Sequence, residues 1–179
     1  MFVLLLGGAR AGKSQLAVRL AAAQPAPVVF LGTARADDVE MAARIERHRN
    51  ERPGSWQTIE EPLQLAEAIS GVEPSACLIV DCLTLWVANA LVVLNPETVE
   101  REAATAAAAA AARPGATIAV SNEVGLGIVP TNELARRYRD LLGRVNTTWA
   151  DAARQAYLVI AGRALPLAAA PSAKEALDG

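Results

Sequence analysis

The stretch GGARAGKS, residues 7–14, constrains the fold of this chain more than any other feature. It fits the pattern G-x-x-x-x-G-K-[ST], in which a glycine-rich turn presents backbone amides to a phosphate at the start of a helix. Its surroundings fit too, because the apolar run FVLLL precedes it and the helical pattern KSQLAVRLAAA follows it. The sequence therefore predicts a strand, a phosphate-binding loop (P-loop) and a helix in succession, and with them a bound nucleotide.

Apolar runs of strand length recur along the chain with helical patterns between them. The near-continuous runs are typical of parallel strands buried on both faces. They cover residues 2–6, 28–31, 77–80, 117–120 and 157–161. The more polar stretch 56–60 is predicted to be an edge strand. We therefore predict one α/β domain of P-loop NTPase type over residues 1–167, a mainly parallel sheet flanked by helices, followed by a loosely ordered tail over 168–179.

Capping residues mark the starts of several helices. The predicted caps are Asp37 or Asp38, Asn95, and Thr131 or Asn132. The alanine run after Asn95 is predicted to be helical, with little packing bulk.

Composition excludes several classes of function. A net charge of -2 and a pI near 5.5 argue against bulk nucleic-acid binding. No apolar run approaches the roughly 18 residues of a membrane span, and no basic segment precedes the first apolar run as in a signal peptide. Cys77 and Cys82 lack metal-ligand spacing and are predicted to be buried thiols in a reducing compartment. We expect a cytoplasmic protein without a membrane span or a nucleic-acid partner.

The chemistry of phosphate transfer assigns roles to residues near the P-loop. Lys13 would reach the β- and γ-phosphates, and Ser14 would offer its hydroxyl to Mg²⁺. Asp81 ends an apolar strand, where P-loop proteins place the acid that holds Mg²⁺. Glu123 follows another strand, at the edge where open α/β sheets bind ligands. It is a candidate general base or magnesium-shell carboxylate, as is Asp81; the alternative for Glu123 is a cap on the following turn.

His48 is the only histidine of the chain and lies within RIERHRNERPGSW, among four arginines. Met41, Ile45 and His48 share one face of a predicted helix, so the imidazole could simply border an apolar face. The arginines would instead attract a phosphate chain and disfavour protonation of the imidazole. A neutral imidazole is a nucleophile able to attack phosphorus. The residues alone leave both interpretations open.

Four blocks of the sequence resemble one known family. They are GGARAGKS, GTARADDVEMAARIERHRNERPGSWQTIEEP, LIVDCLTLWVAN and VSNEVGLGIVPTNELARRYRDLLGRVN. Together they resemble the bifunctional adenosylcobinamide kinase / adenosylcobinamide-phosphate guanylyltransferase family of cobalamin biosynthesis. The resemblance implies phosphorylation of adenosylcobinamide with ATP or GTP. It also implies transfer of GMP from GTP to that phosphate through a GMP-histidine intermediate, which gives adenosylcobinamide-GDP and pyrophosphate.

The same resemblance implies roles for individual residues. His48 matches the histidine that carries GMP, and Lys13 the catalytic lysine of the phosphate loop. The positions implied to bind nucleotide are Gly7, Gly8, Ala9, Arg10, Ala11, Gly12, Lys13, Ser14, Gly32, Thr33, Ala34, Arg49, Asn50, Glu51, Arg52, Glu60 and Asp81. The resemblance further implies a homotrimer that holds the corrinoid between subunits.

Two other functions are compatible with the residues. One is a P-loop kinase for a small molecule in which His48 is structural, and the other is a nucleotide-gated binding module with little group transfer. Trp56 also has two interpretations, since it could stack on a purine or anchor the edge strand by packing. The preference for ATP or GTP in the kinase step is not legible in the motifs.

Overall fold

A computed structural model describes residues 1–25 and 27–171, which form a seven-stranded sheet with helices on both faces. In chain order the elements are β1 (Phe2–Leu6), α1 (Lys13–Ala22), β2 (Val28–Gly32), α2 (Val39–Asn50), β3 (Gln57–Glu60), α3 (Leu65–Gly71), β4 (Cys77–Asp81), α4 (Leu83–Val93), α5 (Pro96–Ala112), β5 (Thr117–Val120), α6 (Glu133–Ala152), β6 (Gln155–Ile160) and β7 (Arg163–Leu167).

The strands are ordered β3-β2-β4-β5-β1-β6-β7 in the sheet. All neighbouring pairs from β3 to β6 are parallel, and only β7 is antiparallel to its neighbour β6. The predicted α/β fold with a mainly parallel sheet is confirmed, as is the edge position of β3. Because β1 to β6 run the same way, the segments that follow them emerge at one edge of the sheet.

Each face of the sheet carries its own apolar core. Helices α3, α4, α5 and α6 cover one face, whose core contains Trp86 and Trp149. On the other face, Ala17 and Ala21 of α1 pack on side chains such as Leu5 and Ile79. Trp149 is fully buried and meets the ring of Phe2 edge-on, with centroids 5.7 Å apart. The near-continuous apolar runs of the strands are thus explained by burial on both sides.

The predicted helix caps are confirmed at Asp38, Asn95 and Asn132. Each side chain accepts a hydrogen bond from the backbone N–H three residues later and so satisfies one donor of the first turn. The alanine-rich stretch is the helix α5, whose buried residues include Ala103, Ala106, Ala107 and Ala110. These small side chains recur at helical spacing and allow α5 to pack closely against α3 and α6.

The sequence patterns identify no strand beyond residue 161, and the structure adds one within the predicted domain. Strand β7 pairs with β6 through a tight turn in which Ala161 and Gly162 have positive φ angles of 51° and 74°. Every residue of β7 is exposed, and Pro166 within this short strand is a residue that usually argues against a strand. Residues 168–171 carry no helix or strand. The rest of the predicted tail, residues 172–179, lies outside the described residues.

Arg113 joins the end of α5 to the segment that follows α3. Its side chain is buried, and Nη1 donates to the carbonyls of Ile69 and Val72 at 3.3 and 3.0 Å. Nη2 donates to the carbonyls of Glu73 and Ala76 at 3.0 and 2.9 Å. Burial lowers the pKa of Arg113, while the charge of Glu73 opposes that shift. One guanidinium therefore satisfies four carbonyls at the end of the sheet opposite the strand C-termini.

We expect Arg113→Met to lower the free energy of unfolding by about 3 kcal/mol, because it leaves buried carbonyls without their donors. Urea unfolding followed by circular dichroism measures the change. The matched control is Arg101→Met on the exposed face of the same helix, for which we expect a change within about 0.5 kcal/mol. A loss below about 1 kcal/mol for Arg113→Met would show that water replaces the guanidinium at these carbonyls.

Candidate functional site

The P-loop between β1 and α1 is fully formed. Arg10 and Gly12 have positive φ angles of 57° and 98°, which turn the backbone around a central space, and Gly12 directly precedes the first helical residue. The Lys13 side chain is buried and folds back over this turn. Its Nζ donates to the carbonyl oxygens of Gly7 at 2.9 Å and Gly8 at 2.7 Å. The predicted lysine thus lies within the phosphate loop, at the N-terminus of a helix.

The turn between β6 and β7 supports the P-loop from behind. A Cβ added to Gly7 would lie 2.3 Å from the carbonyl oxygen of Val159, so only glycine fits there. The N–H of Gly162 donates to the Ala11 carbonyl at 2.8 Å. The missed strand β7 is therefore part of what holds the phosphate loop. Ala161-Gly162 between two short apolar runs is the sequence signal that could have revealed this hairpin.

The end of β4 brings Asp81 to the same edge of the sheet. Thr33, after β2, donates its N–H to the Asp81 carbonyl at 3.1 Å. Its hydroxyl donates to the Cys82 carbonyl at 2.6 Å and accepts from the Cys82 N–H at 2.9 Å. Asn89 in turn donates to the Thr33 carbonyl. Thr33 therefore lies beside Asp81, and its hydroxyl is bonded to the backbone at the end of β4.

Cys82 adjoins this acid, and its surroundings disfavour the thiolate. Burial, and next the negative charge of Asp81, raise the pKa of its thiol to about 11. Cys77 is a second free cysteine, and burial raises the pKa of its thiol as well. The thiolate is the reactive form of cysteine, so a raised pKa makes both residues poor candidates for a nucleophile. We therefore assign the two cysteines a packing role.

A cationic cluster lies at the C-terminal end of α2 and in the segment just after it. The Arg52 guanidinium lies over the Phe30 ring, 3.6 Å from its centroid, and Arg49 approaches Glu60 with 3.8 Å between Nη2 and Oε1. Burial and then the charge of Arg49 lower the pKa of Arg52, whereas Asp81 and Glu60 raise it. Within the part of the chain that the structure describes, Nη1 of Arg52 is buried without a hydrogen-bond partner. A buried cationic donor in this state favours an anionic ligand.

A cavity of about 450 Å³ opens at this cluster. It is lined by Arg49, Asn50, Arg52, Pro53, Gly54, Trp56 and Thr58. Trp56 is half-buried and packs on the core beneath α1, so its packing role is confirmed, and it also lines the cavity. The structure thus brings four predicted residues, Arg49, Arg52, Glu60 and Asp81, into one electrostatic cluster.

His48 lies in the last turn of α2, next to this cluster in sequence. The half-buried members among the described side chains of α2 are Met41, Ile45 and His48, and none is buried. His48 therefore borders the less exposed face of the helix, as its spacing predicts. Its imidazole makes no hydrogen bond or ion pair with any group that the structure describes. Both ring nitrogens are thus available for chemistry, and Arg47, Asn50 and Glu51 around it are exposed.

Glu123 lies directly beside the P-loop. Its N–H donates to the Gly7 carbonyl at 3.0 Å, the same oxygen that accepts from Lys13. Its carboxylate accepts from the Gly125 N–H, so the cap on the following turn is present. The two predicted alternatives for Glu123 are therefore not exclusive, because a capping carboxylate also lies at the phosphate edge.

Sequence reasoning missed the residues that hold the segment containing Glu123. Asn146 of α6 is buried, accepts from the Ser121 hydroxyl at 2.6 Å and donates to the Asn122 carbonyl at 3.0 Å. Thr84 of α4 accepts from the Asn122 N–H at 2.7 Å. These contacts join residues 24 to 38 positions apart, and no local pattern marks them. A lone Asn within a helix was the only available signal.

The oxygen donors near the P-loop suit Mg²⁺ better than a metal that needs a full set of protein ligands. Within the described ranges, no group of three or more His, Cys, Asp or Glu side chains could hold a metal ion. Magnesium does not require such a cage, because it retains waters and binds one or two protein oxygens together with substrate phosphates. The Ser14 hydroxyl in the first turn of α1 and the Asp81 carboxylate at the end of β4 are oxygen donors of that kind. They fit a magnesium ion that arrives with the nucleotide.

No helix in the described part of the chain combines the length and apolarity that crossing a membrane requires.

Comparisons with known proteins agree on one family. The sequence pattern of the family described as "Cobinamide kinase / cobinamide phosphate guanyltransferase" matches residues 3–167. The chain is 45% identical to the "Bifunctional adenosylcobalamin biosynthesis protein CobP" of Pseudomonas aeruginosa, over 94% of this chain and 98% of that protein. It is 38% identical to the "Bifunctional adenosylcobalamin biosynthesis protein CobU" of Salmonella typhimurium, over 90% of this chain and 97% of that one.

Solved structures with much lower identity share the fold. A Pyrococcus horikoshii protein, PH0250, matches with a TM-score of 0.56 at 7% identity, over 92% of this chain and 84% of that one. An ATPase of a bacterial type III secretion system matches with a TM-score of 0.51 at 11% identity, over 88% of this chain and 51% of that one. These two matches support the P-loop architecture alone.

Proposed function

The chain belongs to the cobinamide kinase / cobinamide phosphate guanyltransferase family, and we propose that it catalyses two successive transfers. It phosphorylates adenosylcobinamide with ATP or GTP, and then transfers GMP from GTP to that phosphate. The products are adenosylcobinamide-GDP and pyrophosphate. The observation that carries the proposal is the formed P-loop, which holds the Lys13 ammonium. Asp81 at the end of β4 lies at the same edge of the sheet, and Glu123 after β5 contacts the loop through the Gly7 carbonyl.

In the kinase step, the acceptor hydroxyl oxygen attacks the γ-phosphorus and the bond to the β-phosphate oxygen breaks. Lys13 would neutralise the charge on the phosphates, together with the amides of residues 7–14. Ser14 and Asp81 would hold Mg²⁺, which supplies further charge neutralisation when bound. Glu123 or Asp81 would accept the proton of the hydroxyl. Glu123 is supported by its contact with the P-loop through the Gly7 carbonyl.

In the guanylyl step, an imidazole nitrogen of His48 attacks the α-phosphorus of GTP and pyrophosphate leaves. A phosphate oxygen of adenosylcobinamide phosphate then attacks the same phosphorus, and the nitrogen–phosphorus bond breaks to restore His48. Support comes from the uncommitted imidazole and from Arg49 and Arg52, one and four residues further along. Arg52 has a buried donor that a phosphate would satisfy. Asn50 and Glu51 and the turn of Gly32, Thr33 and Ala34 complete the proposed nucleotide contacts.

We further propose that residues 1–167 form the catalytic domain, which acts as a homotrimer in the cytoplasm and needs no nucleic acid. The domain limit is supported by the family match, which ends at residue 167, and by strand β7, which ends at Leu167. The two free cysteines support a reducing compartment. The trimer is supported by the family resemblance, and light scattering of the purified protein would test it.

The two-step activity is tested by following the corrinoid. The protein is incubated with adenosylcobinamide, Mg²⁺ and ATP, with or without GTP, and the products are separated and weighed by mass spectrometry. We expect adenosylcobinamide phosphate with ATP alone, and adenosylcobinamide-GDP with pyrophosphate once GTP is added. Phosphate product without any GDP product would leave a monofunctional kinase. Nucleotide turnover that the corrinoid does not alter would instead indicate a nucleotide-gated binding module.

A further inference from the structure

Large apolar side chains are exposed in the loop that follows β5 and at the start of α6. Leu126 is 85% exposed, Ile128 97%, Val129 59% and Leu134 62%. They fall within residues 126–134, and we call them the apolar loop surface. Single exposed apolar side chains are common, but a local group of them marks a surface that binds something.

The loop that carries this surface is fixed at its first end. Ser121 and Asn122 are bonded to the buried Asn146, and the Asn122 N–H is also held by Thr84. Two residues further on, Val124 packs against the core beneath α4 and α6. The first end of the loop is therefore firmly held, although the side chains further along the loop are exposed.

Its second end is fixed as well. Nη1 of Arg136 donates to the carbonyls of Pro130 at 3.0 Å and Thr131 at 2.6 Å. Asn132 caps α6 through its hydrogen bond with the Ala135 N–H. Between two anchored ends, the structure holds apolar side chains in water, which costs free energy unless a ligand covers them.

The position of the loop points to the acceptor rather than to the nucleotide. Glu123, three residues before Leu126, is bonded to the P-loop through the Gly7 carbonyl. The loop follows β5, the neighbour of β1 in the sheet, whereas the arginine cavity lies over β2 and β3 on the opposite side of β4. The edge of the sheet where the strands end therefore has two parts. The arginine cavity lies on one side of β4, and the apolar loop surface lies on the other side, next to the P-loop.

We infer that the apolar loop surface binds the corrin ring of the acceptor and holds its side-chain hydroxyl at the P-loop. This inference rests on the proposed function. A corrinoid is a broad macrocycle with methyl groups on its periphery, so it can cover several apolar side chains at once. A nucleotide, by contrast, carries its binding energy in phosphates and matches the arginines. Leu126 and Ile128 are the most exposed members, so they contribute most to corrinoid affinity.

The test is the double variant Leu126→Ser/Ile128→Ser, with Val92→Ser/Val93→Ser as the matched control. The control removes two exposed valines, 81% and 57% exposed, at the end of α4. Kinase rates are measured against adenosylcobinamide and against ATP, and molar mass is measured by light scattering. Losing two apolar contacts should raise the KM for adenosylcobinamide at least about tenfold. The KM for ATP, the GMP adduct formed with GTP and the molar mass should match those of the wild type.

The other outcomes overturn the inference in distinguishable ways. An unchanged KM for adenosylcobinamide in an active variant would show that the ring binds elsewhere. A fall in molar mass would show that a second copy of the chain covers this surface. Absence of any corrinoid phosphorylation by the wild type would overturn the proposed function itself, whatever the variants do.

Discussion

The His48→Ala protein is expected to phosphorylate adenosylcobinamide like the wild type, yet to form no GMP adduct and no adenosylcobinamide-GDP. Guanylyl transfer should fall at least about 10⁴-fold, because removal of a nucleophile eliminates the covalent route. Intact-protein mass spectrometry after incubation with GTP and Mg²⁺ measures the adduct, which should be labile to acid. Substitution of His48 should not disturb the fold, because the imidazole makes no hydrogen bond or ion pair with the described residues.

The control for this experiment lies on the same helix. Glu40→Gln changes one exposed side chain in the first turn of α2, two turns from His48, and should keep the full adduct. His48→Asn adds a test of shape, since it retains a polar side chain that cannot form a stable bond to phosphorus. An adduct of undiminished mass and yield on His48→Ala would show that another residue carries GMP. An adduct on neither variant nor wild type would return His48 to a role at the edge of an apolar helix face.

The Lys13→Met protein is expected to lose about 10³-fold in kcat for corrinoid phosphorylation, the upper range for removal of one preorganised charged donor. Lys13 is buried within the P-loop, so a methionine of similar length fills the space but cannot neutralise a phosphate. Initial rates at saturating ATP and adenosylcobinamide give the change, and circular dichroism reports on the fold.

Arg19→Met is the matched control, since Arg19 is exposed in the last turn of the same helix. Its rate should remain within about twofold of the wild type, because surface changes away from a site rarely alter it. A loss below tenfold for Lys13→Met would mean that the loop amides and Mg²⁺ carry the charge neutralisation between them. The proposed role of Lys13 would then be wrong.

The fold could be predicted largely because its signals are local. The P-loop motif and the apolar runs fix β1, β2, β4 and β5 nearly to the residue, since a strand buried on both faces must be apolar throughout. Strand β7 is not predicted because the run is short and contains Pro166, which is tolerated only at a sheet edge such as this one. For such an edge strand, the clearest signal in the sequence is the turn that joins it to its neighbour, here Ala161-Gly162.

The residues of the candidate site also fall into two groups, those that local sequence signals predict and those that depend on tertiary packing. Lys13 could be found through the P-loop motif. Asp81 and Glu123 could be found because one ends a strand and the other follows one, and the C-termini of parallel strands lie at one edge of the sheet. Asn146 and Thr84 could not, since their roles depend on how α6 and α4 pack over the sheet. The buried guanidinium of Arg52 also depends on tertiary structure, because Phe30, on which it stacks, lies 22 positions earlier in the chain.

The two carbonyls that hold Lys13 each have a second donor. The Gly7 oxygen also accepts from the N–H of Glu123, and the Gly8 oxygen also accepts from the N–H of Ala11. When the ammonium swings toward an arriving phosphate, neither oxygen is left without a hydrogen bond, so the usual penalty for abandoning a buried carbonyl is absent. These two carbonyl oxygens therefore keep a hydrogen bond when the lysine moves to a phosphate.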